Sequence, residues 1–406
     1  MQHCELMQPG VDAQNLTRDL FRKHFGYTPA HVVLAPAHLA LLGAETQACD
    51  GVVIGAAIDR FVGMASSPRT DGKIELVFSA PSKPETFWLT DLKPNPAAPW
   101  ANPVKAVLAQ LRKRGAHFSG FSAAVYSTIP SGLNFGAAAA LEVATAATVR
   151  QLFPYSLSET GATLPPKRDE RGRLPPMTKT ERRHLAALCR AASTGQPDAA
   201  PDFAAHIPAL FGKAWHLLSI DCRAESVEPM PLAGEALIVC DTGLRSFRIT
   251  PPEETLITAA RSVAEQLRLK SLRSLEPRML NAVKHKLAPD EFNCAYHLVC
   301  EIQRAVAAER ALLEDDHHQL GCYMFCSYES ARESFRTSCA EIDLLIELAR
   351  GLPGCLGARP INGGATVNLV AYHEAENFMD RIAREYETRT GQKINPFVCQ
   401  IVDAVN

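Results

Sequence analysis

The 406-residue chain lacks several features that would have placed it at once. It has twelve cysteines but no Cys-x-x-Cys pair, which argues against a structural zinc site or a dithiol redox motif. No apolar run approaches the roughly 18 residues needed to cross a bilayer. The first residues, MQHCELMQPGVD, are polar and have no hydrophobic signal core, so the expected location is the cytoplasm. Charge excess of one sign is also missing: 42 Lys and Arg against 44 Asp and Glu leave a net charge of −2. Nucleic acid and anionic membrane surfaces are therefore not expected partners. Neither a Walker-type Gly-Lys loop nor a Gly-x-Ser-x-Gly elbow occurs, and there are no internal repeats.

What is present is ordinary globular material. Apolar residues make up 47% and charged residues 21%, so a disordered chain or a fibre is excluded. At about 150 residues per domain the length suits two or three domains. Scattered cysteines inside apolar stretches, such as Cys189, Cys240 and Cys399, read as buried free thiols of a reduced compartment.

Hydrophobic periodicity and turn residues predict an α+β chain. Residues 11–25 read as a helix stopped by Gly26. Apolar runs over 32–44 and 51–58 read as buried strands. Strands at 59–66 and 73–79 flank Pro68-Arg69-Thr70-Asp71-Gly72, a hairpin signal. Residues 81–103 read as loop, 103–114 and 137–152 as helices, and 117–129 as a strand. Two Pro-Pro pairs and a run of charges mark 154–182 as an exposed insertion. In the second half, a helix is expected at 182–193, strands at 216–222 and 235–243, and helices at 252–268 and across most of 276–350. A strand at 365–373, a helix at 375–390 closed by Gly391 and a strand at 396–405 complete the chain. Asp315-Asp316-His317-His318 reads as a helix end rather than a metal site. Cys322–Cys326 and His297–Cys300 read as core.

Three segments in order carry a resemblance. The first is FRKHFGYTPAHVVLAPAHLALLGAETQACDGVVIGAAID (21–59). The second is WANPVKAVLAQL with VYSTIPSGLNFGAAAALEVATAA. The third is SYESARESFRTSCAEIDLLIELARGLPGCLGARPINGGATVNLV, and FGKAWHLLSIDCR lies between the last two. Together they resemble galactokinases, of the GHMP small-molecule kinase superfamily. That resemblance implies two α+β domains, 1–200 and 201–406, with the ligand cleft between them. It also implies transfer of the γ-phosphoryl of MgATP to the C1 hydroxyl of galactose, a reaction that depends on positioning and charge stabilisation.

Many of the implied functional positions carry other residues. The family's arginine of Ala-Pro-Gly-Arg is His38, and its aspartate base falls at Ala205, with Asp202 three residues earlier. Alanine cannot accept a proton. The sugar-binding Glu-His-x-Asp becomes Ala44-Glu45-Thr46-Gln47, and Asp50 stands within the Asn-Gly-Gly that follows. In the phosphate loop Gly132 is kept, Asn134 replaces a glycine, and Gly136, Ala137 and Ala138 replace three serines. The later glycine-rich loop is shortened to a stretch containing Gly363 and Gly364, after Pro360. The expectation is an inactive or divergent family member that has lost galactokinase activity and keeps a binding or regulatory role, with a small molecule or protein in the cleft. The replaced loop hydroxyls count against MgATP binding. The alternatives are a sugar kinase with a rebuilt site using Glu45, Asp50 or Asp202 with His38, and a scaffold acting through the 154–182 insertion. A cleft filled by Phe135, Ala137, Ala138 and Pro360 would favour loss of activity.

Overall fold

The computed structural model describes residues 9–80, 82–163, 167–194, 204–248, 251, 253–335 and 339–405. Helix α1 (Pro9–Phe25) ends where Gly26 turns to φ 79°. Strands β1 (His31–Leu42) and β2 (Val52–Pro68) run antiparallel, joined through a 3-10 turn at Ala44–Cys49. Then come β3 (Lys73–Phe78), β4 (Glu85–Trp88), α2 (Asn102–Lys113), β5 (Phe121–Ser127) and α3 (Ala137–Leu152). A small hairpin, β6 (Ser156–Ser158) and β7 (Gly161–Thr163), leads to α4 (Lys179–Thr194), α5 (Ile207–Phe211), β8 (His216–Asp221) and β9 (Ser226–Pro231).

Strand β10 (Glu235–Asp241) opens the second sheet. Helices α6 (Glu253–Gln266), α7 (Pro277–Ala282), α8 (Pro289–Leu313), α9 (His317–Phe335) and α10 (Ala340–Gly351) follow. The chain closes with β11 (Cys355–Ile361), β12 (Ala365–Ala371), α11 (Ala375–Thr390) and β13 (Asn395–Cys399).

The first sheet has the order β4-β3-β5-β2-β8-β9, with β1 also on β2; the second has the order β11-β12-β10-β13. The seventeen residues of β2 organise the first sheet. One edge pairs with β1, while the other holds β8 along 52–55 and β5 along 62–68. Strands β8 and β9, from beyond residue 200, thus complete the first sheet. One apolar core runs through both halves of the chain, joining Ile54, Met64 and Phe121 to Ala305, Met324, Val367 and Leu369.

Three sequence expectations are corrected. The Asp71-Gly72 turn does not close a hairpin between β2 and β3. Strand β5 runs between them, antiparallel to β2 and parallel to β3. Gly120 makes this insertion fit, because a Cβ there would lie 2.1 Å from the Lys73 carbonyl oxygen. Strands β4, β9 and β11 were not foreseen. All three are sheet edges, and β9 and β11 carry prolines, which a central ladder cannot accommodate but an edge can. The 154–182 segment is solvent-facing only in part. Lys167–Arg173 is exposed, but Tyr155, Leu157 and Met177 enter the core, and the Arg150 guanidinium donates to the Pro175 carbonyl at 3.0 Å.

Candidate functional site

The phosphate-loop positions lie between β5 and α3. The loop turns through two left-handed glycines, Gly132 (φ 82°) and Gly136 (φ 68°), the latter capping α3. Leu133 and Phe135 point down and are buried, while Ala137 and Ala138 face solvent. The condition that would have favoured loss of activity, a cleft filled by these side chains, is not met: Phe135 belongs to the core beneath the loop, and Pro360 sits within β11 opposite Thr366. Alanine suits α3, which is buried on nearly every side from Ala139 to Arg150 and leaves little room for larger residues.

His38 is brought to this loop. Its backbone N–H donates to the Phe135 carbonyl at 3.1 Å, and its imidazole lies against the Gly136 Cα. The shortened glycine-rich turn reaches the other end. A Cβ on Gly363 would lie 2.0 Å from the Gly132 carbonyl oxygen, and one on Gly364 would lie 2.5 Å from that of Leu244. The two glycine loops therefore touch backbone to backbone, an approach only glycine permits.

Sequence reasoning missed a cation here. Arg245 lays its side chain across Gly132, whose Cβ, if present, would lie 2.3 Å from the Arg245 Cδ. Its guanidinium holds both carboxylate oxygens of Asp241, at 2.6 and 2.8 Å, and donates to the Gly363 carbonyl at 3.0 Å. Burial works against the charge on Asp241, but the Arg245 hydrogen bonds, the Gly243 N–H and the Arg245 charge together hold the carboxyl below its usual range. The available signal was an acid and a base four residues apart directly after a strand.

The sugar-motif positions are arranged differently. Glu45 does not open onto the loop. It enters a buried cluster with His297 (3.2 Å) and Arg359 (3.5 Å). Glu301, also in the cluster, accepts from the Gly43 N–H (3.0 Å), Ser327 (2.9 Å) and Arg304 (2.7 Å), and the Arg359 guanidinium lies 3.7 Å away. Burial alone would raise the Glu45 carboxyl, but Arg359 and His297 together hold it well below the usual carboxylate range. Glu45, His297 and Glu301 place ligand atoms within 4.8 Å of one another, as a divalent cation would need. Two carboxylates facing Arg359 and Arg304 are already neutralised, so the cluster holds its own counter-ions and works as a structural joint.

Gln47, which the sequence resemblance aligned with the family's aspartate, accepts from the Ala204 N–H at 3.0 Å. This brings it beside Ala205, which the sequence resemblance aligned with the family's base. Asp202 lies outside the described residues. His206 is buried and bonded to Glu142 at 2.5 Å, with Ser193 on the same carboxylate at 2.6 Å; this anchors the 204–206 turn to α3. Asp50 is a left-handed turn residue (φ 57°) at the periphery, 3.9 Å from Arg223, and its carbonyl accepts from Arg273. The Ala44 carbonyl accepts a bond from the Gln47 side chain. Asn134 is exposed on the loop.

Two further readings are resolved. Asp316 caps α9 through the Gln319 N–H, and His317 turns inward to Glu235 at 2.8 Å. The Cys322–Cys326 stretch is core only at Met324, and Cys326 is exposed. A cavity of about 730 Å³ opens between the sheets, lined by Arg60, Pro130, Asp241, Lys393 and Phe397 among others; none of the sequence-predicted site residues lines it. No helix among the described residues is long and apolar enough to cross a membrane.

A family model described as the galactokinase galactose-binding signature matches residues 19–68. The galactokinase of Chloroflexus aurantiacus is 31% identical over 390 residues, covering 93% of this chain and 94% of that one. The human galactokinase is 29% identical over 381 residues, covering 91% of each. The crystal structure of Lactococcus lactis galactokinase complexed with galactose superposes with a TM-score of 0.81 at 21% identity, covering 96% of this chain and 98% of that one. Methanococcus jannaschii mevalonate kinase shares the fold at a TM-score of 0.60, 12% identity and coverage of 92% and 98%.

Proposed function

The chain belongs to the galactokinase family, and from that premise we propose that it is a member without galactokinase activity whose cleft serves binding. One observation carries the reading: the polar groups at the family's working positions are either replaced or bonded to the protein itself. Ala205 offers no proton acceptor. Glu45 is spent on Arg359 and His297, and Gln47 on the Ala204 N–H. Sugar hydroxyls are discriminated by paired polar groups, and each partner withdrawn costs about 1–3 kcal/mol of recognition.

The loop fits MgATP poorly as well. Phosphate oxygens and Mg²⁺ are held by backbone N–H groups, side-chain hydroxyls and carboxylates. The first turn of α3 offers Gly136, Ala137 and Ala138, none with a side-chain oxygen.

A second reading, a sugar kinase with a rebuilt site, is favoured by one specific observation. Arg245 stands fixed across Gly132, and Ala137 and Ala138 face solvent, so a permanent cation and an open helix start lie on one loop.

Thermal unfolding with MgATP, with galactose and with both separates the two readings. A ligand at ten times its Kd stabilises the folded state by about 1.4 kcal/mol. The expected result is no shift at millimolar ligand and no ADP release. A clear shift with MgATP, together with ADP formed in the presence of a sugar, refutes the proposal and supports the rebuilt kinase.

A further inference from the structure

We propose that His38 and Gly136 form a steric lock, in which the imidazole fills the volume that any side chain at position 136 would need. A Cβ built on Gly136 lies 2.2 Å from both Cε1 and Nδ1 of His38, and 3.3 Å from Cγ. Ordinary carbon contacts lie at about 3.5–4.0 Å, so the overlap exceeds an ångström. The two backbones cannot draw apart to relieve it. The His38 N–H is bonded to the Phe135 carbonyl, one residue before Gly136. His38 is flanked by Ala37 and Leu39, each 1% exposed, and α3 behind Gly136 is packed through Ala140, Val143 and Ala144. Movement is left only to the imidazole torsions.

The lock joins two departures from the family's pattern that look independent in the sequence. The resemblance puts arginine at 38 and serine at 136. With the imidazole where it stands, the ring and a serine side chain would occupy the same space, so restoring the hydroxyl at 136 alone must first displace the ring. This holds whether or not the chain transfers phosphate to anything, so its test stands apart from the test of the proposed function.

Gly136 is also left-handed, at φ 68°. Any residue there is strained whatever lies opposite, and the strain must be separated from the clash. A double-mutant cycle does so, because the strain is the same in both backgrounds. The variants are Gly136→Ser, His38→Ala and the double change, read by thermal unfolding of the full chain. The expected result is that Gly136→Ser lowers Tm by about 4 °C or more in the presence of His38, and by less than half as much in the His38→Ala background. If Gly136→Ser fails to fold while the double variant folds, the lock is equally supported. An equal drop in both backgrounds overturns it: backbone strain would then account for everything, with the imidazole free to swing aside.

Discussion

Replacing Arg359 by methionine removes the cation that two buried carboxylates share. Arg359 is 5% exposed, lies 3.5 Å from Glu45 and 3.7 Å from Glu301, and donates to the Leu41 carbonyl at 3.0 Å. Methionine keeps much of the volume but leaves Glu45 facing His297 alone of these two partners, at 3.2 Å. Breaking a buried pair on one side costs about 3–5 kcal/mol, because the remaining charge stays desolvated. With an unfolding entropy of about 2.1 cal/mol/K per residue, this lowers Tm by roughly 4–6 °C for a chain of this length unfolding as one unit. The pH dependence tests the cause. In the parent chain the folded Glu45 carboxyl lies below its unfolded value. Its contribution to stability is therefore complete above the ordinary carboxylate pKa and is lost as pH falls through the depressed folded value. Without Arg359, burial dominates and the folded value rises above the unfolded one. The variant's deficit should then shrink as the medium is acidified towards pH 4. Adding Glu45→Gln to Arg359→Met should recover part of the loss at neutral pH. Urea unfolding at pH 7 and pH 4.5 measures both effects. A loss under about 1 kcal/mol, or a deficit that grows on acidification, would refute the idea that Arg359 neutralises this cluster.

Two further outcomes follow from packing and exposure. Gly43→Ala should cost more than about 3 kcal/mol in urea unfolding, since Gly43 is left-handed (φ 74°) and its Cβ would lie 1.9 Å from the Val52 carbonyl oxygen, a backbone atom that cannot swing away. Thiol labelling of the native chain followed by peptide mapping should modify exposed Cys326 well before Cys240, which is fully buried and whose thiol burial pushes up to about 12; equal rates would show that the second sheet opens readily.

Legibility in the sequence followed how local the cause was. Helix α3 begins and ends where the Ala-rich run predicts, and Gly115 and Gly391 close α2 and α11, because caps and periodicity are written in neighbouring residues. The Asp71-Gly72 turn was equally clear, yet the strands on either side of it do not pair. Strand choice is decided by a segment some fifty residues away, β5, which Gly120 lets in beside Lys73. The edge strands β9 and β11 were hidden by prolines that read as breaks and are tolerated only because no neighbour needs their N–H.

The candidate site divides along the same line. Residue types alone determined that Ala205 cannot take a proton and that Ala137 and Ala138 carry no hydroxyl, because chemistry absent from a side chain is absent in every fold. Whether a remaining group is available was decided only by tertiary structure. Glu45 looked like a surviving sugar contact and is bound into a joint with His297 and Arg359, more than 250 positions further along. Arg245 was not singled out by any motif and is the cation lying on Gly132. His38 and Gly136, nearly a hundred residues apart, read as two separate losses and meet in one contact. Backbone propensity and side-chain chemistry are local and can be read from the chain itself; the partner that occupies a charge, or the ring that fills a space, is set by which distant segments the core brings together.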